Sequence, residues 1–268
     1  MNKTIGFIGS GNMAQAIING LLQTGFAQPE NIIASRRNEA ALEALKEKYG
    51  IQTTTQNTEV ASAADVLFLA VKPHVYDTVI EEVRDLVGAN TIIVNIAAGK
   101  SIHDIEQAFN RTVKVARAMP NTPSLVGEGM IGICFNEEII DEEQQFMLDL
   151  FASLGKVEVI TENLIDAVIG ASGSTPAIFY MIIEAVADGA VKAGMPRDQA
   201  YTFAAQSMLG SAKMVLETGE HPGKLKDNVC SPGGSTIEGV IAAENNGLRA
   251  AVISAVDAFV AKSRAMQK

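Results

Sequence analysis

Three stretches of this chain carry residue types that could do chemistry. The first is Gly9-Ser10-Gly11-Asn12-Met13-Ala14, a Gly-x-Gly-x-x-Ala turn that directly follows the apolar run of residues 4–8. Such a turn suits a dinucleotide. Gly9 lets the backbone turn tightly, Gly11 lets a pyrophosphate approach the main chain, and Ala14 keeps the next helix near the strand. A helix starting near Asn12 would aim its free amides at the phosphates. The second stretch is Ser35-Arg36-Arg37, with no carboxylate until Glu39. A strand-two Asp or Glu suits NAD, whereas a hydroxyl and two guanidinium groups suit the 2′-phosphate of NADPH. NADH remains possible. The bland alternative leaves both arginines in solvent at the head of a helix, where their charge opposes the dipole.

The third stretch is Asp227-Asn228-Val229-Cys230-Ser231-Pro232-Gly233-Gly234-Ser235-Thr236-Ile237. If a helix opens at Ser235 or Thr236, its first amides and these hydroxyls converge without any cationic side chain, which suits a small carboxylate. Ser235 and Glu238 also have the spacing of a capping box, so the stretch could be only a helix start. Both readings stay open on spacing alone. Lys72 lies just past a buried run, where ligands collect in parallel sheets, although a solvated lysine fits that position equally. The Ala97-Ala98-Gly99 turn has no side-chain bulk and permits close approach of a nicotinamide.

Periodicity supplies the elements that would position these groups. Strands are expected over 4–8, 31–35, 51–53, 65–71, 91–95, 113–118, 129–135 and 156–160. Helices are expected between them over 13–24, 39–49, 57–63, 75–86, from Ser101, and over 142–154. The Val66–Val71 run reads as a central parallel strand buried on both faces. This alternation predicts an α/β dinucleotide-binding domain over 1–162. From Asn163 the pattern turns helical, over 163–172, 176–193, 198–217, 222–228, 235–245 and 247–266. The 176–193 helix carries Ile178, Phe179, Tyr180, Met181, Ile182 and Ile183 in succession. A helix apolar on most sides must be buried, and a domain of about 105 residues offers little room to hide it. Residues 163–268 are therefore expected to form a helical dimerisation domain.

Composition excludes several classes. The chain has 268 residues, 47% hydrophobic, with 23 Gly and a formal charge of −10, which argues against a nucleic-acid surface. Cys134 and Cys230 stand alone, and no Cys-x-x-Cys or His-x-x-x-His suggests a metal. The first residues run straight into a strand, so no signal peptide is expected. The longest uncharged run, Ala167–Ile183, falls short of the about 20 apolar residues that span a bilayer. A cytoplasmic protein without membrane contact is expected.

The chain resembles the pyrroline-5-carboxylate reductases along nearly its whole length. The matching pieces are residues 6–14, Val-Lys-Pro (71–73), Ala-Ala-Gly (97–99), Arg-Ala-Met-Pro-Asn-Thr-Pro (117–123) and the 227–237 stretch. The resemblance implies a Rossmann-like N-terminal domain, a helical dimerisation domain, and homodimers assembled into a decamer. It implies reduction of 1-pyrroline-5-carboxylate to proline, the last step of proline synthesis, with NADPH or NADH. By position, Ser10, Asn12 and Met13 would belong to the cofactor turn with Gly9 and Gly11. Ser35 and Arg36 would meet the adenosine phosphate, while Asn57, Val71, Lys72 and Pro73 would lie along the cofactor. Ala97, Met119, Pro120 and Asn121 would line the nicotinamide end. Asn228, Ser231, Gly233, Gly234, Ser235 and Thr236 would hold the substrate carboxylate, with Thr236 near the ring nitrogen as the catalytic residue.

One departure stands out: the family's Gly-Ser-Gly-Pro-Ala-Tyr reads Gly173-Ser174-Thr175-Pro176-Ala177-Ile178 here. That puts substrate tolerance in doubt and keeps a reductase of other cyclic imines as an alternative. A β-hydroxyacid dehydrogenase is the other enzymatic rival, but Gly170–Ala185 lacks the lysine such enzymes use. A nucleotide-sensing protein with a silent dinucleotide site is the non-enzymatic one. An imine carbon accepts hydride readily, so no catalytic histidine is required, and His74, His103 and His221 read as surface or capping residues.

Overall fold

The apolar runs assemble into one sheet in the computed structural model, which describes residues 3–266. Its strands are β1 (Ile5–Ile8), β2 (Ile32–Ser35), β3 (Gln52–Thr54), β4 (Val66–Leu69), β5 (Ile92–Asn95), β6 (Lys114–Met119), β7 (Gly129–Phe135) and β8 (Gly155–Val159). They lie in the order β3-β2-β1-β4-β5-β6-β7-β8, so the chain reverses direction of growth between β3 and β4. All pairs are parallel except β6–β7, which is antiparallel with Arg117 opposite Cys134. Periodicity did not foresee that reversal.

Between the strands run α1 (Asn12–Gln23), α2 (Glu39–Tyr49), α3 (Asn57–Ala63), α4 (Tyr76–Val83), α5 (Ile102–Phe109) and α6 (Asp141–Ala152), followed by α7 (Ile165–Val168). Helices cover both faces, so β1, β2, β4 and β5 are buried at every residue. Alternation along each strand divides the core. Phe7 and Phe68 stack with centroids 4.7 Å apart on the side of α1 and α6. Ile8, Leu67 and Leu69 face α3, α4 and α5.

The chain packs as two units. One runs to Ser174 and takes back the residues from Phe259 onward; the other is Thr175–Ala258. Strand–helix alternation stops at β8, but Ile165 and Ile169 still join the core beside α5. Asp166 also receives Ser263 Oγ at 2.6 Å, which ties the end of the chain to the first unit.

The second unit is helical throughout: α8 (Pro176–Lys192), α9 (Arg197–Thr218), α10 (Pro222–Asn228), α11 (Ser235–Asn245) and most of α12 (Leu248–Ala265). Its α8 and α9 pack through Ala187, Ala200 and Ala204, a core built from methyl groups. Large apolar side chains stay outside. Met181 is 62% exposed, Phe203 64% and Ile253 62%.

Candidate active site

A cleft of about 720 Å³ opens at the carboxyl ends of β1, β2 and β4, in the first unit. This is the crevice where a parallel sheet changes direction of strand order, the usual ligand position in such folds. Gly9 makes the turn out of β1 with φ +95°, and a Cβ there would lie 2.6 Å from the Ala70 carbonyl oxygen. Only glycine accepts both the conformation and the contact. Gly11 differs: its φ is −73°, and a Cβ built on it would meet nothing within 4 Å. Gly11 is the N-cap of α1, which begins at Asn12 with no side chain capping its amides and no acidic residue in its first turn. The main chain therefore presents free N–H groups to open space.

The side chains around this turn agree with an anionic occupant. Ser10 is 2% exposed, and its Oγ has no hydrogen-bond partner, although buried hydroxyls ordinarily have one. Arg36 and Arg37 are exposed beside it at the end of β2, with Arg36 Nη1 3.4 Å from the Ser10 carbonyl oxygen. Lys72 and His74, also exposed, line the far wall, and among the described residues no carboxylate lines the cleft. An orphaned hydroxyl, uncapped amides, two guanidinium groups and clearance in front of Gly11 fit a phosphorylated dinucleotide.

Ten of the residues expected on the cofactor line this cleft: Gly9, Ser10, Gly11, Asn12 and Met13 from the turn, then Ser35, Arg36, Asn57, Val71 and Lys72. Ser35 is fully buried, and its hydroxyl donates to Asn57 Oδ1 at 2.7 Å. Pro73, Ala97, Met119, Pro120 and Asn121 are not part of the lining. Ala97 is a buried turn residue whose N–H donates to Asn95 Oδ1 at 2.9 Å. Asn95 is in turn held by its donation to the Lys100 carbonyl and by the Tyr76 hydroxyl 3.1 Å away. Burial pushes that phenol up, against weaker opposing effects of the nearby Ile96 and Ala97 backbone and Arg117. Asn121 is 7% exposed with its amide committed: Nδ2 donates to the Ser172 carbonyl and Oδ1 accepts from Met130 N–H. Val75, Val79 and Ile96 line the cleft without having been expected. Their signal was available, since they follow the carboxyl ends of β4 and β5.

The glycine-rich loop belongs to the second unit. There α11 opens at Ser235 with Gly234 as its N-cap, and no side chain caps its first turn. The Ser235–Glu238 capping box is therefore absent, because the helix begins one residue earlier than that box requires. Gly233 adopts φ +66°, which turns the chain so that Gly234 N–H donates to the Ser231 carbonyl at 3.0 Å. Asn228 ends α10, and Ser231, Ser235 and Thr236 are exposed. These hydroxyls and the uncapped amides form a neutral donor group of the kind that accepts a carboxylate.

His221 caps α10 by accepting from Gly223 N–H at 3.0 Å. His103 is exposed on α5. Both cysteines are free. Burial, reinforced by Glu162 and opposed by Arg117, pushes the Cys134 thiol up to about 11, so it is inert at neutral pH.

Comparison with known proteins converges on one activity. Residues 162–266 match the family described as pyrroline-5-carboxylate reductase dimerisation, and residues 4–99 match NADP oxidoreductase coenzyme F420-dependent. The chain is 47% identical to the Escherichia coli K12 pyrroline-5-carboxylate reductase over 268 residues, covering 100% of both. It is 41% identical to the Methanosarcina acetivorans pyrroline-5-carboxylate reductase, covering 100% of this chain and 99% of that one. The crystal structure of a Plasmodium falciparum pyrroline carboxylate reductase with NADP bound superposes with a TM-score of 0.91 at 30% identity, covering 100% of this chain and 99% of that one.

Proposed function

This chain belongs to the pyrroline-5-carboxylate reductase family, and from that premise we propose how its own residues carry the reaction. It is an oxidoreductase that reduces 1-pyrroline-5-carboxylate to proline, the final step of proline biosynthesis, with NADPH as reductant and NADH possible. One observation carries the reading: the orphaned Ser10 hydroxyl stands beside the uncapped, unobstructed start of α1 and the strand-two arginines in one cleft.

The bound nicotinamide supplies a hydride to the imine carbon. The chain's part is placement. Amides of the Gly9–Met13 turn and Ser10 Oγ hold the pyrophosphate charge. Arg36 holds the adenosine phosphate with Ser35 and Asn57 behind it, and Val71, Lys72 and Pro73 flank the cofactor. Ala97, Met119, Pro120 and Asn121 act at the nicotinamide end. Ala97, Met119 and Asn121 are buried, and the Asn121 amide is held by Ser172 and Met130, which supports a rigid wall at that end. Gly233, Gly234, Ser235 and the Asn228–Ser231 segment take the substrate carboxylate. Thr236 orients the ring and serves its nitrogen, which must gain a proton as the C=N bond becomes a secondary amine.

In the same reading, residues 1–162 bind the dinucleotide and residues 163–268 serve subunit association. The chain forms homo-oligomers. The stretch Glu162–Lys192, 31 residues, is long and apolar enough by length and composition alone to cross a membrane. We assign its exposed Phe179, Tyr180 and Met181 to a partner subunit instead, with dimers assembled into decamers in the cytoplasm. Light scattering that gave a stable monomer at micromolar concentration would overturn that assignment.

The reaction is tested by following absorbance of the reduced nicotinamide on adding pyrroline-5-carboxylate. Oxidation of NADPH is expected with this imine, whereas a hydroxyacid series supplied with the oxidised cofactor should not reduce it. Binding of NADPH without oxidation would instead indicate a sensing protein. Thr236→Ala is expected to lower kcat/KM for the imine, and an unchanged kcat/KM removes Thr236 from the mechanism.

A further inference from the structure

One hydrogen-bond chain in the cleft wall has its direction fixed by its far end. Ser35 Oγ donates to Asn57 Oδ1 at 2.7 Å, and Asn57 Nδ2 donates to Glu82 Oε2 at 2.8 Å. A carboxylate only accepts, so the amide nitrogen must face Glu82 and the amide oxygen must face Ser35. The Ser35 proton is thereby drawn to Asn57, since its other acceptor, the Phe7 carbonyl, is 3.5 Å away. The Ser35 hydroxyl and one of the two Asn57 N–H groups are thus committed within the protein, and the chain ends on a negative charge.

We propose that Glu82 is a coenzyme-selectivity residue that weakens the preference for a 2′-phosphorylated dinucleotide. The proposal rests on the cleft being the adenosine end of the cofactor site. A phosphate monoester offers acceptor oxygens and needs donors. To recruit the Ser35 proton it must displace Asn57, and of the two Asn57 N–H groups the one that Glu82 holds is closed to it. A ribose 2′-hydroxyl carries its own proton and makes no such demand. The carboxylate also sets a negative charge behind the wall that Arg36 and Arg37 make positive. Selectivity is therefore a balance in which Glu82 opposes the two arginines and keeps NADH usable. Glu82 is exposed on α4, so replacing it disturbs no core packing.

The test is calorimetric binding of adenosine 2′,5′-bisphosphate and of adenosine 5′-monophosphate to wild type, Glu82→Gln and Glu82→Ala. Glu82→Ala should bind the bisphosphate about fivefold tighter, the scale of one released hydrogen bond, and Glu82→Gln, which loses the charge but keeps an oxygen that accepts from Asn57, should fall between it and wild type, while the monophosphate changes by less than about twofold. An unchanged ratio of the two affinities in both variants overturns the proposal. So does equal weakening of both ligands in Glu82→Ala, which would mean that Glu82 only holds Asn57 in place. Wild type that binds neither fragment nor NADPH overturns the reading of the cleft itself, and is recognised because it precedes any variant.

Discussion

Replacing Gly11 by alanine, set against the same change at Gly9, separates a glycine kept for a ligand from a glycine kept for the fold. At Gly11 the backbone is ordinary and a methyl group would meet no protein atom within 4 Å. The folded chain loses only the N-cap advantage of glycine over alanine, about 0.5–1 kcal/mol. That corresponds to about 1–4 °C in Tm for a unit of this size. A pyrophosphate lying against Gly11 would instead have to retreat from the methyl, at about 1–3 kcal/mol, or about 5–150-fold in Kd. At Gly9 the costs reverse in order. Its φ of +95° and the backbone oxygen 2.6 Å from the new Cβ cannot be relieved by a side-chain adjustment. Gly9→Ala should lose at least about 2 kcal/mol of stability before any ligand is added. The assay is thermal melting with and without NADPH. At 100 Kd the coenzyme stabilises wild type by about 2.7 kcal/mol, and a 30-fold weaker variant at the same concentration keeps only about 0.9 kcal/mol. A Gly11→Ala protein that retains the whole ligand-induced shift refutes the placement of the phosphates.

Arg117 is 3% exposed, and Nη1 pairs with Glu162 at 2.8 Å while Nε and Nη2 have no partner. Glu162→Gln should therefore cost about 2–3 kcal/mol, or about 4–12 °C in Tm, because the guanidinium stays buried without its charge partner. The double variant with Arg117→Met should recover most of the loss, and a single variant melting within about 2 °C of wild type would count against the pair. Burial by itself would raise the Asp104 carboxyl, but the Ser101 backbone and hydroxyl, with Lys100 and His103, bring it below its ordinary value. Its folded pKa is thus below its unfolded one, so its stabilisation is complete above about pH 5 and is lost as pH falls through the lowered value. Asp104→Asn should flatten that acid limb in urea midpoints measured from neutral to acid pH, and an unaltered limb would exclude Asp104 as its source.

The sequence makes the elements legible because each rests on local signals. Asn38 caps α2 and Ser101 caps α5 where helix starts were expected, and Gly50 stops α2 in the left-handed conformation. Strand direction is not local in that sense, and the antiparallel β7 escaped notice. A length argument was nevertheless available. The nine residues 120–128 between β6 and β7 are fewer than the dozen or so that a parallel crossover needs. Spacing alone left the 235–238 capping box open for a related reason, since Gly233 turns the chain early enough for Gly234 to become the cap. At the site, the glycines and arginines were readable because their types are unusual for those positions. Asn121 and Glu82 were harder, because what they do depends on Ser172 and Asn57, residues far away in the chain.

Overall charge and local charge answer different questions in this molecule. With 31 Asp and Glu against 21 Lys and Arg, the surface as a whole repels polyanions. At physiological salt, however, exposed charges are screened beyond about 8 Å, so a small anion responds to the groups that surround it. Around the α1 amides those groups are Ser10, Arg36, Arg37 and Lys72. The acidic balance thus argues against a long nucleic acid, which must lie across many such surfaces at once, while leaving room for a dinucleotide that fits inside one cleft. The carboxylate joined to that wall through Asn57, Glu82, is for the same reason the acidic residue whose removal should be felt by the ligand, whereas the many carboxylates elsewhere should not be.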